Sequence, residues 1–105
     1  MFNSNLPEQN LLKTVLEPLL EDFQYWFGRS RTLLESESIP FLRDEQQTDL
    51  LTRVTQAQQE VGTTQTLLKV TDGQVGVETS MLMTWHQLVT ECWQMRVRLR
   101  SDKSV

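Results

Sequence analysis

VGVETSMLMTWHQLVTECWQMRVRLR, Val75 to Arg100, is the stretch on which the reading of this chain turns. From Val77 onward it holds two of the three Trp residues, the only His, the only Cys and three of the four Met. It ends in arginines at alternate positions, Arg96, Arg98 and Arg100. Met81, Leu82, Trp85, Leu88, Val89, Cys92, Met95 or Arg96, and Leu99 recur at the three-and-four spacing that gathers side chains on one face of an α-helix. His86, Trp93 and Val97 form an adjoining line. This helix therefore carries a wider apolar surface than a single core stripe requires.

Just upstream, Thr71-Asp72-Gly73 reads as a helix stop, with glycine suited to the left-handed closing conformation. The link GQVG is short, as between antiparallel helices. Before it, Leu50, Val54, Ala57, Val61, Thr64 and Leu68 alternate by four and three, a heptad seam diluted by Gln56, Gln58, Gln59 and Gln65. Gly62 costs that helix about 1 kcal/mol relative to alanine. Its start is expected at Asp44 as cap, with Gln47 reaching back. SESIP, residues 36 to 40, ends the preceding helix, and Ile39, Phe41 and Leu42 are expected to plug one end of the core.

The first helix is expected from Glu8, with Leu12, Val15, Leu16, Leu19, Leu20, Phe23, Trp26, Phe27, Ser30, Leu33 and Leu34 on its inner stripe. Pro18 kinks or breaks it, and the unbroken phase of the stripe favours a kink. The spacing thus predicts an all-α fold, an antiparallel three-helix bundle over residues 8 to 100. A mobile arm, 1 to 7, and a flexible tail, 101 to 105, are expected to flank it.

At 105 residues the chain has room for one core. No apolar run is long enough to span a bilayer, and the opening MFNSNLPEQN lacks the basic flank and apolar stretch of a secretory signal. One Cys forms no internal disulfide, so a reducing, cytoplasmic setting is expected. A formal net charge of -4 argues against nucleic-acid binding. The imbalance lies mainly in residues 1 to 42, where six acids face three bases.

Three consecutive aromatics, Tyr25, Trp26 and Phe27, diverge by about 100° per residue, so one core cannot hold them all, and Tyr25 is the one expected outside. Trp85 and Trp93 stand about 12 Å apart along the helix. Both can be core, or one can be core while the other anchors a partner. Arg96, Arg98 and Arg100 suit the negative end of their helix, and are also compatible with a docking patch for an acidic protein or an anionic membrane face.

His86 and Cys92 differ by about 120° around the helix, so they are not co-ligands, and a nucleophile and base so placed need a second copy of the chain. No metal and no cofactor is assigned. A lone His still permits single ligation of a haem or chlorin. Phosphate loops, HExxH and GxSxG are absent from the sequence.

The segments LLKTVLEPLLEDFQYWF (Leu11 to Phe27), TDGQVGV (Thr71 to Val77) and WHQLVTECWQ (Trp85 to Gln94) resemble a family of small cyanobacterial proteins classified only as a domain of unknown function, over about Leu6 to Arg100. The resemblance implies a cytoplasmic setting in a photosynthetic bacterium near thylakoid or phycobilisome machinery. It assigns no residue a role. The reading that follows is a noncatalytic helical module binding a protein partner, or a second copy of itself, through Tyr25, Trp26, Trp85, Trp93, Arg96 and Arg100. The alternatives are a pigment or haem carrier using His86 and a thiol enzyme using Cys92.

Overall fold

The computed structural model describes residues 5–72 and 77–104, with side chains over 13–72 and 77–102. Three helices make up the fold: α1 (Asn5–Ser36), α2 (Asp44–Val70) and α3 (Thr79–Ser104). They run up, down and up in an elongated bundle of 63 × 23 × 20 Å. Helix α1 packs on both others and is the spine of the bundle. No strand occurs among the described residues.

Each helix buries the face that its periodicity marks. Helix α1 sets Leu16, Leu20, Phe23, Phe27 and Leu34 into the core, and α2 sets Leu50, Val54, Ala57, Val61 and Leu68 there. Thr64, expected in the α2 seam, is half-buried and donates its hydroxyl to the Glu60 carbonyl at 2.9 Å. Helix α3 contributes Trp85, Leu88, Cys92, Met95 and Leu99. Trp85 meets Phe23 edge-on at 5.6 Å, and Phe23 stacks on Phe27 at 5.9 Å. Ring pairs of this kind add roughly 0.5–1.5 kcal/mol to the burial of their area.

Helix α1 runs unbroken through Pro18, which lies on its exposed side, where the missing amide is best accommodated. Val15, expected on the inner stripe, is 56% exposed. The helix ends differ from expectation. Asn5–Pro7, expected in an arm, already belong to α1, and residues 1–4 lie outside the described residues. Ser101–Ser104, expected in a tail, continue α3.

The cap of α2 falls one residue earlier than expected, at Arg43, whose amide donates to Gln46 Oε1 at 2.8 Å. Gln47 is thereby released for another task. Its Oε1 accepts from the Ile39 amide at 2.9 Å, and its Nε2 donates to the carbonyls of Leu34 (2.9 Å) and Glu37 (2.7 Å). One side chain thus clamps the turn between α1 and α2 while Ile39 plugs the core beneath it, fully buried. At the far end of α2, Asp72 adopts the left-handed conformation, φ 53°, and Gly73 and the GQVG link lie outside the described residues. Lys13 Nζ meets Asp72 Oδ1 at 2.9 Å across that end.

Candidate functional site

Helix α1 meets its neighbours through different sides. Toward α2 it presents Gln24 and Arg31: Gln24 Nε2 donates to the Gln58 carbonyl at 3.0 Å, and Arg31 Nη1 donates to Gln58 Oε1 at 3.2 Å. Toward α3 it presents Phe23, Trp26 and Ser30. Helices α2 and α3 are tied by Arg53, whose guanidinium grips both Glu91 oxygens at 2.9 Å, and by Trp85 Nε1, which donates to Glu60 Oε1 at 3.0 Å. The Glu91 pair holds the Arg53 guanidinium well above its ordinary range and the Glu91 carboxyl below its own.

On the outer side of the α1–α3 contact a different surface appears. Tyr25 is 54% exposed, Trp26 38% and Trp93 59%, and Val97 stands open beside them. The Tyr25 and Trp26 rings meet edge-on at 5.0 Å. Arg96 lies over the Trp26 ring at 5.2 Å. Arg29 lies 6.0 Å from the same ring and 5.8 Å from Tyr25, to whose hydroxyl its Nη1 donates at 3.1 Å. Among the described residues, no carboxylate stands within ion-pairing distance of Arg29 or Arg96. The Arg96 guanidinium is pushed below its ordinary value by burial, then by the neighbouring charges of Arg29 and Arg100. Trp26, Ser30, Val89, Cys92, Trp93 and Arg96 enclose much of a hollow of about 240 Å³.

Of the residues expected to meet a partner, Tyr25, Trp26, Trp93 and Arg96 therefore share one face, and Arg100 adjoins it, exposed. Trp85 does not. It is 1% exposed, ringed by the core and bonded to Glu60, so the expectation that it contacts a partner is corrected: it is a structural residue. Arg98 also leaves the group, stacking over Phe41 at 4.2 Å beside the α1–α2 turn. Arg29 escaped the sequence reading. Its signal was its place four residues after Tyr25 and three after Trp26, the spacing at which helical side chains meet.

His86 and Cys92 lie in separate surroundings. Cys92 is 2% exposed, hydrogen-bonded with the Ser30 side chain, and burial pushes its thiol up, which keeps it protonated at neutral pH. His86 is exposed at the edge of a second hollow of about 320 Å³, walled by Leu19, Phe23, Leu82 and Met83. Among the described residues, no group of three or more His, Cys, Asp or Glu is placed to hold a metal ion. Nor, among those residues, is any helix long and apolar enough to cross a membrane.

Fold and surface together define an all-α three-helix bundle with an aromatic and basic face between its first and last helices. The chain belongs to the DUF2605 family, described as a protein of unknown function, whose model matches residues 6–101. No curated protein and no solved structure matches it.

Proposed function

We propose that this protein is a noncatalytic helical interaction module that holds a protein partner against the outer α1–α3 face. The observation that carries the reading is the pair Trp26 and Trp93, large aromatic side chains left 38% and 59% exposed around a hollow while Trp85, on the helix that carries Trp93, is sealed in the core. Exposed aromatics flanked by arginine are the residue types that dominate binding energy at protein interfaces. The separation of buried, protonated Cys92 from exposed His86 supports a noncatalytic role, since a nucleophile needs its base within hydrogen-bond reach. The likeness of Leu11 to Phe27 and Trp85 to Gln94 to small cyanobacterial proteins supports a cytoplasmic partner near thylakoid or phycobilisome machinery, with this chain as an accessory or assembly factor.

The test is affinity capture from the native host with wild-type protein and the Trp93→Ala variant. A partner retained by the first and lost by the second is the expected result. Identical partner profiles remove the reading.

The hollow beside His86 favours a second reading, in which Leu19, Phe23, Leu82 and Met83 hold an apolar pigment or haem and the imidazole supplies a nitrogen ligand. A visible spectrum of the protein purified from its host decides this. Absorbance that disappears in His86→Ala supports it, and a colourless protein that takes up no pigment eliminates it.

A further inference from the structure

We infer that the hollow between Trp26 and Trp93 receives one apolar side chain of an acidic amphipathic helix, whose carboxylates meet Arg29 and Arg96. The inference rests on the interaction reading above and specifies the chemistry of the partner.

Three observations carry it. The first is shape. Helices α1 and α3 run parallel, so the furrow outside their contact is the place where a fourth helix completes a bundle. The hollow in that furrow is floored by Ser30 and Cys92, 1% and 2% exposed, and walled by Trp26, Val89, Trp93 and Arg96. At about 240 Å³ it falls below the roughly 300–1,000 Å³ of small-molecule sites and suits one large side chain. A flat membrane surface cannot enter a concave site, whereas a helix with anchors at three-and-four spacing can.

The second is charge. Lys13, Arg31 and Arg53 each have a carboxylate partner within the chain. Among the described residues Arg29 and Arg96 have no carboxylate in ion-pairing distance and lie by the ring of Trp26, Arg29 also donating one N–H to the Tyr25 hydroxyl. A guanidinium held over an aromatic ring keeps its N–H edge available, and that edge matches a carboxylate bidentately. Arg29 and Arg100 are close enough to disfavour the charge on Arg96, a repulsion that an arriving anion relieves.

The third is orientation. Asp22 precedes Trp26 by one turn and Arg29 follows it by one turn, so α1 presents acid, aromatic and base in order along this stripe. The partner's carboxylates therefore gather at the Arg29 end of the furrow and are excluded from the Asp22 end.

The experiment pans a library of helical peptides about 20 residues long, roughly 30 Å, against the full chain. The best binder is then titrated against wild type, Arg29→Ala/Arg96→Ala and Trp93→Ala, with equal-part phosphatidylglycerol and phosphatidylcholine vesicles run in parallel. Thermal melts of all three proteins report folding. The expected binder carries an apolar anchor flanked by Glu or Asp, weakens about tenfold or more in the double arginine variant, and weakens further with salt. Wild-type protein is expected to stay off the vesicles.

A binder that depends on Trp93 but carries no acidic enrichment overturns this inference and leaves the interaction face standing. Binders indifferent to Trp93 and to both arginines, or none at all, overturn both. Vesicle binding lost in the arginine variant reassigns the face to a membrane, and a dimer in sedimentation that Trp93→Ala dissolves reassigns it to a second copy.

Discussion

The two long sides of α1 treat polar groups in opposite ways. Toward α2, Gln24, Arg31 and Gln47 find partners within the chain, and Lys13 reaches Asp72 across the bundle end. Toward the outer α3 face, Arg29 and Arg96 lie over aromatic rings, with no carboxylate beside them among the described residues. Paired polar groups register the helices against each other. Guanidiniums propped on exposed rings do little for the fold, and they stand ready for something outside it. The same residue types therefore serve architecture on one side of a helix and recognition on the other.

The largest test of this contrast uses the two tryptophans of α3. Trp85→Ala is expected to cost about 3–5 kcal/mol, because a buried ring is lost and Glu60 Oε1 loses the indole donor. A melting temperature close to wild type breaks the contrast. Next comes the seam itself. Gln47→Ala removes one acceptor and two donor contacts at the α1–α2 turn and is expected to cost about 1–3 kcal/mol in denaturant unfolding, since three backbone groups lose their partner.

A gain is expected at Gly62. A Cβ there meets Gln24 Nε2 at 3.4 Å, an ordinary contact at its close limit, so Gly62→Ala is expected to stabilise by up to about 1 kcal/mol through helix propensity. A loss of stability means that the α1–α2 seam is tighter than that distance allows.

The smallest effect is pH-dependent. Glu91 is held below the ordinary carboxylate value chiefly by its hydrogen bonds to Arg53. It therefore adds stability above its unfolded value, and that contribution is lost as pH falls through the folded value. The pair is half-exposed, so the effect is small. Glu91→Gln is expected to flatten the acid limb of a melting-temperature profile, and an unchanged limb assigns the α2–α3 tie to packing alone.

Periodicity made much of this legible. Five of the six positions of the α2 seam are buried as the four-and-three alternation required, and three consecutive aromatics forced Tyr25 outward. The period also set Trp85 with Leu88, Cys92 and Leu99 and placed Trp93 on a neighbouring line, the distinction that burial later makes plain. It remained silent on pairings between helices. Glu60 with Trp85, and Arg53 with Glu91, join residues 25 and 38 positions apart, and nothing local specifies them. The cap of α2 shifted by one residue because Gln46 and Gln47 are adjacent and chemically identical, and only the turn geometry decides which of them reaches back. Within the face, the alternating arginines read as one basic group, yet alternate positions on a helix diverge, sending Arg96 to Trp26 and Arg98 to Phe41.

The central claim is that Trp93 is exposed for binding and contributes little to folding. The most direct measurement pairs a thermal melt of Trp93→Ala with its retention of the partner captured by wild type. Stability within about 0.5 kcal/mol of wild type together with loss of the partner is the expected result. Unfolding of the variant, or full retention of the partner by a stable variant, contradicts the account.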